Sequence, residues 1–239
     1  MIWLVALAVL CLTAGILAWA VRGRSAVWLA PSIWRGPADR KAVALTFDDG
    51  PSESTEQILE LLARHGAKAT FFQIGQHVHR LPRVTQQVIQ AGCEVGNHSY
   101  THPRFDFTSP AFQLQELRKT QQAIEAACGV TPVWFRAPFG VRWFGLAKAQ
   151  QACRLRGAMW TVLARDWRLS PMEIERRVLN GLQNGSIICL HDGRGLAVNP
   201  DVSATVEALS RILPALRQRG FQMVTLSELN PFSIQDRLQ

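Results

Sequence analysis

From Lys41 onward, short apolar stretches alternate with segments that carry helix signals. The apolar stretches are rich in β-branched and aromatic side chains, which indicates buried strands. They are "VALTF" at 43–47, "ATFFQI" at 69–74, "CEVGN" at 93–97, "VWFR" at 133–136, "AMWTVL" at 158–163, "SIICL" at 186–190 and "FQMVTL" at 221–226. Apolar strands separated by helices form parallel sheets that are covered on both faces. We therefore predict an α/β fold, either a barrel or an open doubly wound sheet.

The segments between the strands predict helices because their apolar residues recur at helical spacing. Ser170 is followed by Pro171 and Glu173, which is a capping box with proline at the first helical position. The predicted helices lie at 54–65, 82–91, 109–129 and 146–155, with two more that begin near 170 and 201. The sequence thus predicts one folded domain over 41–230, followed by a short C-terminal tail at 231–239.

The N-terminal stretch 1–21 contains no charged side chain and only Thr13 as a polar residue. As a helix it is long enough to cross a hydrocarbon core of about 30 Å. Ala18-Trp19-Ala20 fits a small-x-small cleavage site, but the basic region that opens a signal peptide is missing. We therefore predict a transmembrane anchor or uncleaved signal, joined to the domain by a linker at 22–40.

The charge of the chain favours some partners over others. The formal net charge is +8, but the basic residues are scattered and form no dense run. Such a surface suits an anionic envelope polymer or a membrane, and we predict no nucleic-acid partner. The five cysteines show no metal-binding or redox spacing and leave the disulfide state open. No feature indicates an oligomer, and a monomer is the expectation.

Reactive side chains follow five of the predicted strands. Asp48 and Asp49 follow the first strand, and His98 follows the third. Arg136 ends the fourth strand, Asp166 follows the fifth and His191 follows the sixth. Since the carboxyl ends of parallel strands share one edge of a sheet or barrel, active sites form there. We expect these side chains to meet in one site.

His98 and His102 are four residues apart in "HSYTH". Two imidazoles at that spacing can share one face and hold a divalent metal, and a carboxylate would complete an open three-ligand site. Asp48 or Asp49 can supply it. Because neighbouring strand residues point to opposite sides, one acid can bind the metal while the other acts as a base on water.

Hydrolysis also needs a proton for the leaving group and donors for the oxyanion. His191 can be that acid if a carboxylate keeps it protonated, and Asp166 is the candidate partner. Arg136 can orient the base, and the backbone N–H of Phe139 can face the developing oxyanion.

Five stretches, in chain order, resemble the motifs of the polysaccharide deacetylase family, the NodB-homology domain of carbohydrate esterase family four. They are "TFDDG" at 46–50, "HSYTH" at 98–102, "RAPFG" at 136–140, "RDW" at 165–167 and "CLH" at 189–191. The resemblance spans about 41–229. It implies a distorted barrel of about seven (β/α) units and a divalent metal, usually zinc, with cobalt or nickel as alternatives.

The same resemblance implies which of the two acids does what. Asp48 matches the general base, and Asp49 matches the metal ligand that acts with His98 and His102.

Roles for the remaining motif residues are also implied by the resemblance. Arg136 matches the partner of the base, and Phe139 supplies the oxyanion N–H. Asp166 matches the partner of the acid His191, and Trp167 a wall of the groove.

Two positions depart from the family pattern. Leu163 replaces the first aspartate of the fourth motif, D-x-x-D-W, and Cys189 replaces the leucine of the fifth, L-x-H. Cysteine keeps that position apolar, whereas Leu163 removes an acid near the groove and bears on substrate choice.

The resemblance implies hydrolysis of N-acetyl groups on a polysaccharide, either peptidoglycan or a chitin-like oligomer. Two further activities use the same residues: O-acetyl esterase action on xylan, and deformylation of a lipid-linked sugar. An inactive carbohydrate-binding relative is the alternative from another class. Arg22 and Arg24 follow the apolar segment and favour a cytoplasmic domain. Since the substrate lies outside the cell, we nevertheless expect a membrane-anchored domain in the periplasm or on the cell surface.

Overall fold

A curled sheet of parallel strands organises the chain in the computed structural model, which describes residues 1–231. Its nine strands are β1 (Ser32–Ile33), β2 (Ala42–Gly50), β3 (Thr70–Gln73), β4 (Glu94–Asn97), β5 (Trp134–Phe135), β6 (Arg156–Ala158), β7 (Val162–Leu163), β8 (Ile187–His191) and β9 (Gln222–Val224). The order is β1-β6-β5-β4-β3-β2-β8-β7, and β9 also pairs with β2. The sheet curls into a distorted (β/α) barrel, so the predicted fold class is confirmed.

Helices occupy the connections between the strands. They are α1 (Ile2–Arg22), α2 (Thr55–Arg64), α3 (Gly75–Arg80), α4 (Pro82–Gln90), α5 (Pro110–Cys128), α6 (Leu146–Ala152), α7 (Pro171–Asn180), α8 (Ser203–Gln218) and α9 (Leu226–Leu229). The capping box predicted at Ser170 is present, with reciprocal bonds between Ser170 and Glu173. Helix α3 was not predicted from the sequence, and its residue His77 is buried.

The predicted strand 158–163 is two strands in the structure. β6 pairs with β5 and β1, while β7 pairs with β8 at the other end of the sheet. Between them the chain crosses from one end of the sheet to the other and leaves the carbonyls of Ala158 and Met159 pointing at a buried arginine, Arg136. The stretch, with Thr161 as its only polar residue, was predicted as one strand because each half contributes buried apolar side chains.

Strand β2 lies at the centre and is buried on both faces. Val43, Leu45 and Phe47 pack into the larger apolar cluster, against helices including α2 and α8. Ala42 and Ala44 face the other way, into a cluster with Phe72 and Trp134. The strand therefore holds its C-terminal acids rigidly.

The segment 22–40, where the sequence predicted a linker, contributes to the fold. β1 within it pairs with β6, and Ala26 and Ala30 are buried. The guanidinium of Arg142, itself 1% exposed, donates hydrogen bonds to the carbonyls of Gly23 and Ala26, and its backbone N–H donates to Val21. The chain after α1 is therefore fixed by side-chain packing and by backbone bonds.

Helix α1 is long and apolar enough to span a membrane. Its residues are exposed up to Trp19, and only Ala20 and Val21 are buried, against Leu29 and Val141. The predicted tail at 231–239 lies outside the described residues from 232 on.

Candidate active site

The acidic pair that opens the site lies at the carboxyl end of β2. Asp48 pairs with Phe72 of β3, but the next pair joins Gly50 to Gln73, so Asp49 is an extra residue in a β-bulge. Its φ of 74° is left-handed, which aspartate tolerates better than most residues. Because the bulge interrupts the alternation of the strand, both carboxylates line the same groove. The prediction that they point to opposite sides is wrong.

Asp49, His98 and His102 form the first cluster of the site. Oδ1 of Asp49 lies 3.3 Å from Nε2 of His98 and 3.0 Å from Nε2 of His102. All three donor atoms lie within 4.8 Å of one another, and the residues are buried or half-buried. One carboxylate oxygen and two imidazole nitrogens are a donor set for a divalent transition metal, so the residues present fit such an ion.

The tautomer of His98 follows from its other nitrogen. Nδ1 lies 2.8 Å from the carbonyl oxygen of Arg136, which can only accept, so Nδ1 carries the hydrogen. Nε2 is therefore the nitrogen directed at Asp49. Metal-binding histidines are usually oriented in this way by a bond from their second nitrogen.

Asp49 is ionised in this setting. Burial opposes the charge, but the hydrogen bonds with His102 and His98 outweigh it and hold the pKa of Asp49 well below its usual range. The other oxygen, Oδ2, accepts a 2.8 Å bond from the backbone N–H of Gly195. The carbonyl of Gly195 in turn accepts a 2.8 Å bond from Nε2 of His77. This buried histidine therefore supports the loop that touches Asp49.

Asp48 has a different partner. Its Oδ1 accepts a 2.7 Å hydrogen bond from Nη1 of Arg136, whose side chain is fully buried. The guanidinium also donates to Thr46 Oγ1 at 2.7 Å and to Met159 O at 2.9 Å. A cation held by so many acceptors fixes the carboxylate in one orientation. The predicted contact between Asp48 and Arg136 is present.

His191 and Asp166 form the second charged pair. Nδ1 of His191 lies 2.7 Å from Oδ1 of Asp166, and the backbone N–H of His191 donates to Oδ2 at 2.8 Å. Thr205 Oγ1 donates to the same Oδ2 at 2.7 Å. Asp166 is thus saturated with donors, and the structure brings together the two residues that were predicted as partners.

The pair is charged at neutral pH. Burial disfavours the imidazolium of His191, but the Asp166 carboxylate outweighs it and raises the pKa of His191 to about 9. Burial likewise disfavours ionised Asp166, and the charge and hydrogen bond of His191 outweigh it and lower the pKa of that carboxyl. Protonated His191 can therefore donate a proton from Nε2 into the groove.

An open groove of about 450 Å³ joins the two clusters. Phe139 and Trp167 are exposed on its rim, and Trp167 meets the ring of His191 edge-on at 5.0 Å. Leu163 and Trp160 contribute apolar side chains to the wall of the groove. Phe139 has a φ of 57°, a left-handed value that is uncommon for a non-glycine residue. All nine predicted site residues except Arg136 and Asp166 line the groove, and these two lie directly behind it.

The contacts of two buried side chains at the site were missed from the sequence. Asp192 is fully buried behind the groove, where Thr55 donates to its Oδ2 at 2.6 Å, and burial raises its pKa to about 7. It approaches the backbone so closely that a Cβ on Gly50 would lie 2.1 Å from its carboxylate. The thiol of Cys189 donates to Oδ2 of Asp48 at 3.4 Å. The only sequence signal for Cys189 and Asp192 is their position within two residues of His191 in "CLHD".

Comparison with known proteins gives one family and many similar chains. A family model described as polysaccharide deacetylase matches residues 35–157. The chain is 35% identical to a chitooligosaccharide deacetylase of Bradyrhizobium sp. (strain ANU 289) over 80% of this chain and 91% of that protein. It is 35% identical to a peptidoglycan-N-acetylglucosamine deacetylase of Bacillus cereus over 82% of this chain and 91% of that one.

A solved structure is similar over most of the chain as well. It is that of a carbohydrate esterase family 4 pseudoenzyme from Bacillus anthracis, at 34% identity. The TM-score is 0.76 over 85% of this chain and 69% of that one.

Proposed function

This chain belongs to the polysaccharide deacetylase family and is a hydrolase of amide bonds, and on that premise we propose that it removes N-acetyl groups from a polysaccharide that contains N-acetylglucosamine. Peptidoglycan and chitin-like oligomers are the proposed substrates, the two classes named for the similar proteins from Bacillus cereus and Bradyrhizobium. One observation carries the proposal: a candidate metal triad, an arginine-bound carboxylate and a carboxylate-bound histidine all face one groove.

We assign the metal to Asp49, His98 and His102. One carboxylate and two imidazoles are a known catalytic donor set for zinc, and cobalt and nickel accept the same donors. When bound, such an ion polarises the acyl carbonyl and lowers the pKa of water. The protein supplies the anionic carboxylate of Asp49 and the orientation of His98, which its bond to the Arg136 carbonyl fixes.

Asp48 is the proposed base. It takes a proton from the attacking water as the water oxygen bonds to the acetyl carbon. Arg136 holds Oδ1, so Oδ2 is the oxygen directed to the groove, and among residues 1–231 only the weak donor Cys189 hydrogen-bonds to it. The buried arginine keeps the carboxylate from turning away, which positions the base before the substrate arrives.

His191 is the proposed acid. As the bond between the acyl carbon and the amide nitrogen breaks, that nitrogen takes a proton from Nε2 and leaves as a free amine, with acetate as the second product. Asp166 stabilises the imidazolium, and Thr205 and the backbone N–H of His191 hold Asp166 in turn.

The rim residues are assigned to substrate. The backbone N–H of Phe139 is proposed to face the oxygen of the acetyl group as negative charge builds there. Trp167 is proposed to form the wall against which a sugar ring packs, since its side chain is 47% exposed beside His191.

We propose that the protein works as a membrane-anchored enzyme outside the cytoplasm, in the periplasm or on the cell surface. The apolar helix α1 and the net charge of +8 support this location, because both suit a protein held near an anionic envelope. The proposed polymeric substrates lie on that side of the membrane.

The test is acetate release by full-length protein in detergent, reconstituted with zinc, cobalt or nickel. Chitooligosaccharides, peptidoglycan and acetylated xylan form the substrate panel. Acetate from the first two, with free amines on the product, supports the proposal. Release from xylan alone would replace it with O-acetyl esterase activity. Bound metal without release from any substrate would indicate an inactive relative; the similar Bacillus anthracis protein is described as a pseudoenzyme.

A further inference from the structure

We propose that Asp48, Cys189 and His191 form a second, inhibitory site for Zn²⁺. One donor atom from each residue lies within 4.8 Å of the other two. A thiol, an imidazole and a carboxylate together make a donor set that zinc binds readily. The site lies in the same groove as the first cluster but shares no residue with it.

The orientation of His191 supports this second site. Its Nδ1 is held by Asp166 at 2.7 Å, which leaves Nε2 as the nitrogen available to a ligand. A carboxylate behind the imidazole is a common arrangement in zinc sites, because it fixes the ring and raises its basicity. Thr205 fixes that carboxylate in turn, so the imidazole is already oriented.

Cys189 is the residue that makes the site. Its side chain is 1% exposed, and its thiol already contacts Oδ2 of Asp48 at 3.4 Å. The leucine found in the L-x-H pattern offers no ligand atom, whereas a thiol becomes a strong ligand when a metal replaces its proton. Zinc binding therefore forms bonds to the sulfur and to Nε2 of His191, and it releases to solvent both the thiol proton and the Nε2 proton of the imidazolium.

Occupation of this site would stop catalysis. The cation would hold Oδ2 of Asp48, the oxygen proposed to take the proton from water. It would also hold Nε2 of His191, the nitrogen proposed to protonate the amine. This consequence rests on the proposed function, but the binding itself does not.

Cobalt titration of metal-stripped, full-length protein tests the binding. The first site has no sulfur ligand, so cobalt bound there gives no sulfur-to-cobalt charge-transfer band. We expect that near-ultraviolet band to appear in the wild-type protein and to saturate with two cobalt ions bound. Cys189→Leu should lose both the band and the second ion, and Cys189→Ala serves if the leucine variant does not fold. Cys93→Ala removes a different buried thiol and should keep the band.

Two results would overturn the proposal: no band in the wild-type protein, or a band that persists in Cys189→Leu. A second readout is the inhibitory concentration of excess zinc in acetate release, which should rise about 100-fold or more in Cys189→Leu because a direct ligand is lost. An unchanged inhibitory concentration would also overturn it. If no substrate releases acetate, the proposed function fails while the cobalt result still decides the binding.

Discussion

The carbonyl oxygen of Arg136 accepts a 2.8 Å hydrogen bond from Nδ1 of His98, while the guanidinium of the same arginine donates to Asp48 at 2.7 Å. The backbone of one residue thus orients a proposed metal ligand, and its side chain orients the proposed base. Substitution of the side chain should separate the two roles, because the carbonyl remains.

Arg136→Lys should therefore lower kcat by about 100-fold, since the loss of a well-positioned base is worth that much or more. Lysine keeps the positive charge but has no planar fork with which to bind Asp48, Thr46 and Met159 together. The amount of bound metal, measured by elemental analysis, should equal that of the wild-type protein. A variant that loses its metal along with its activity would show that the arginine side chain is needed for both.

Removal of the metal should abolish acetate release, and Asp49→Asn should have the same effect. The asparagine lacks the charge that Asp49 carries between the two imidazoles, so zinc affinity should fall by about 100-fold or more. His79→Gln is the matched control, because His79 is exposed and contacts Tyr100 instead. Isothermal titration with zinc measures both variants. Wild-type affinity in Asp49→Asn would place the metal elsewhere.

Activity should fall at high pH as His191 loses its proton. Burial disfavours the imidazolium, but Asp166 outweighs it and raises the pKa to about 9, so the acid is protonated below that pH and deprotonated above it. The upper limb of the kcat/KM profile should therefore lie near 9. Asp166→Asn removes the charge that raises the pKa and should move the limb to lower pH. A limb that does not move would assign it to another group.

Arg142→Met should destabilise the fold by about 2–3 kcal/mol, because the carbonyl of the buried Ala26 loses its donor and that of Gly23 loses one of its two donors. Thermal unfolding of the full-length protein should show a lower Tm. Limited proteolysis should cut more readily within 22–30. Arg83→Ala is the control, since Arg83 is exposed on α4 and should change neither measurement. Equal Tm values for the two variants would show that the segment is not fixed by Arg142.

The strand ends of the site could be predicted because the rule behind them is simple. Parallel strands bring their carboxyl ends to one edge, so Asp48, His98, Arg136 and His191 meet although up to 143 positions separate them. The bulge at Asp49 could not be predicted, since it depends on the pairing register with β3. The burial of His77 and Asp192 follows from long-range packing that no local pattern records.

The split of 158–163 was missed for a related reason. An apolar run indicates burial on both faces but does not show where the chain leaves one strand partner for another. The carbonyls freed at that crossing are the ones that bind Arg136. The break between β6 and β7 therefore provides hydrogen-bond acceptors for Arg136. Hydropathy alone cannot predict such a break.

The bonds from Arg142 to Gly23 and Ala26 also bear on how the groove is presented to a polymer. A flexible linker would let a catalytic domain adopt many distances and orientations relative to a membrane surface. Here the helix end packs directly on Leu29 and Val141, so the groove and the helix axis turn as one body. If α1 is the proposed membrane anchor, a polysaccharide strand meets the groove at one fixed angle and within one narrow layer, and the distance that the groove reaches from the membrane is set by the length of the domain.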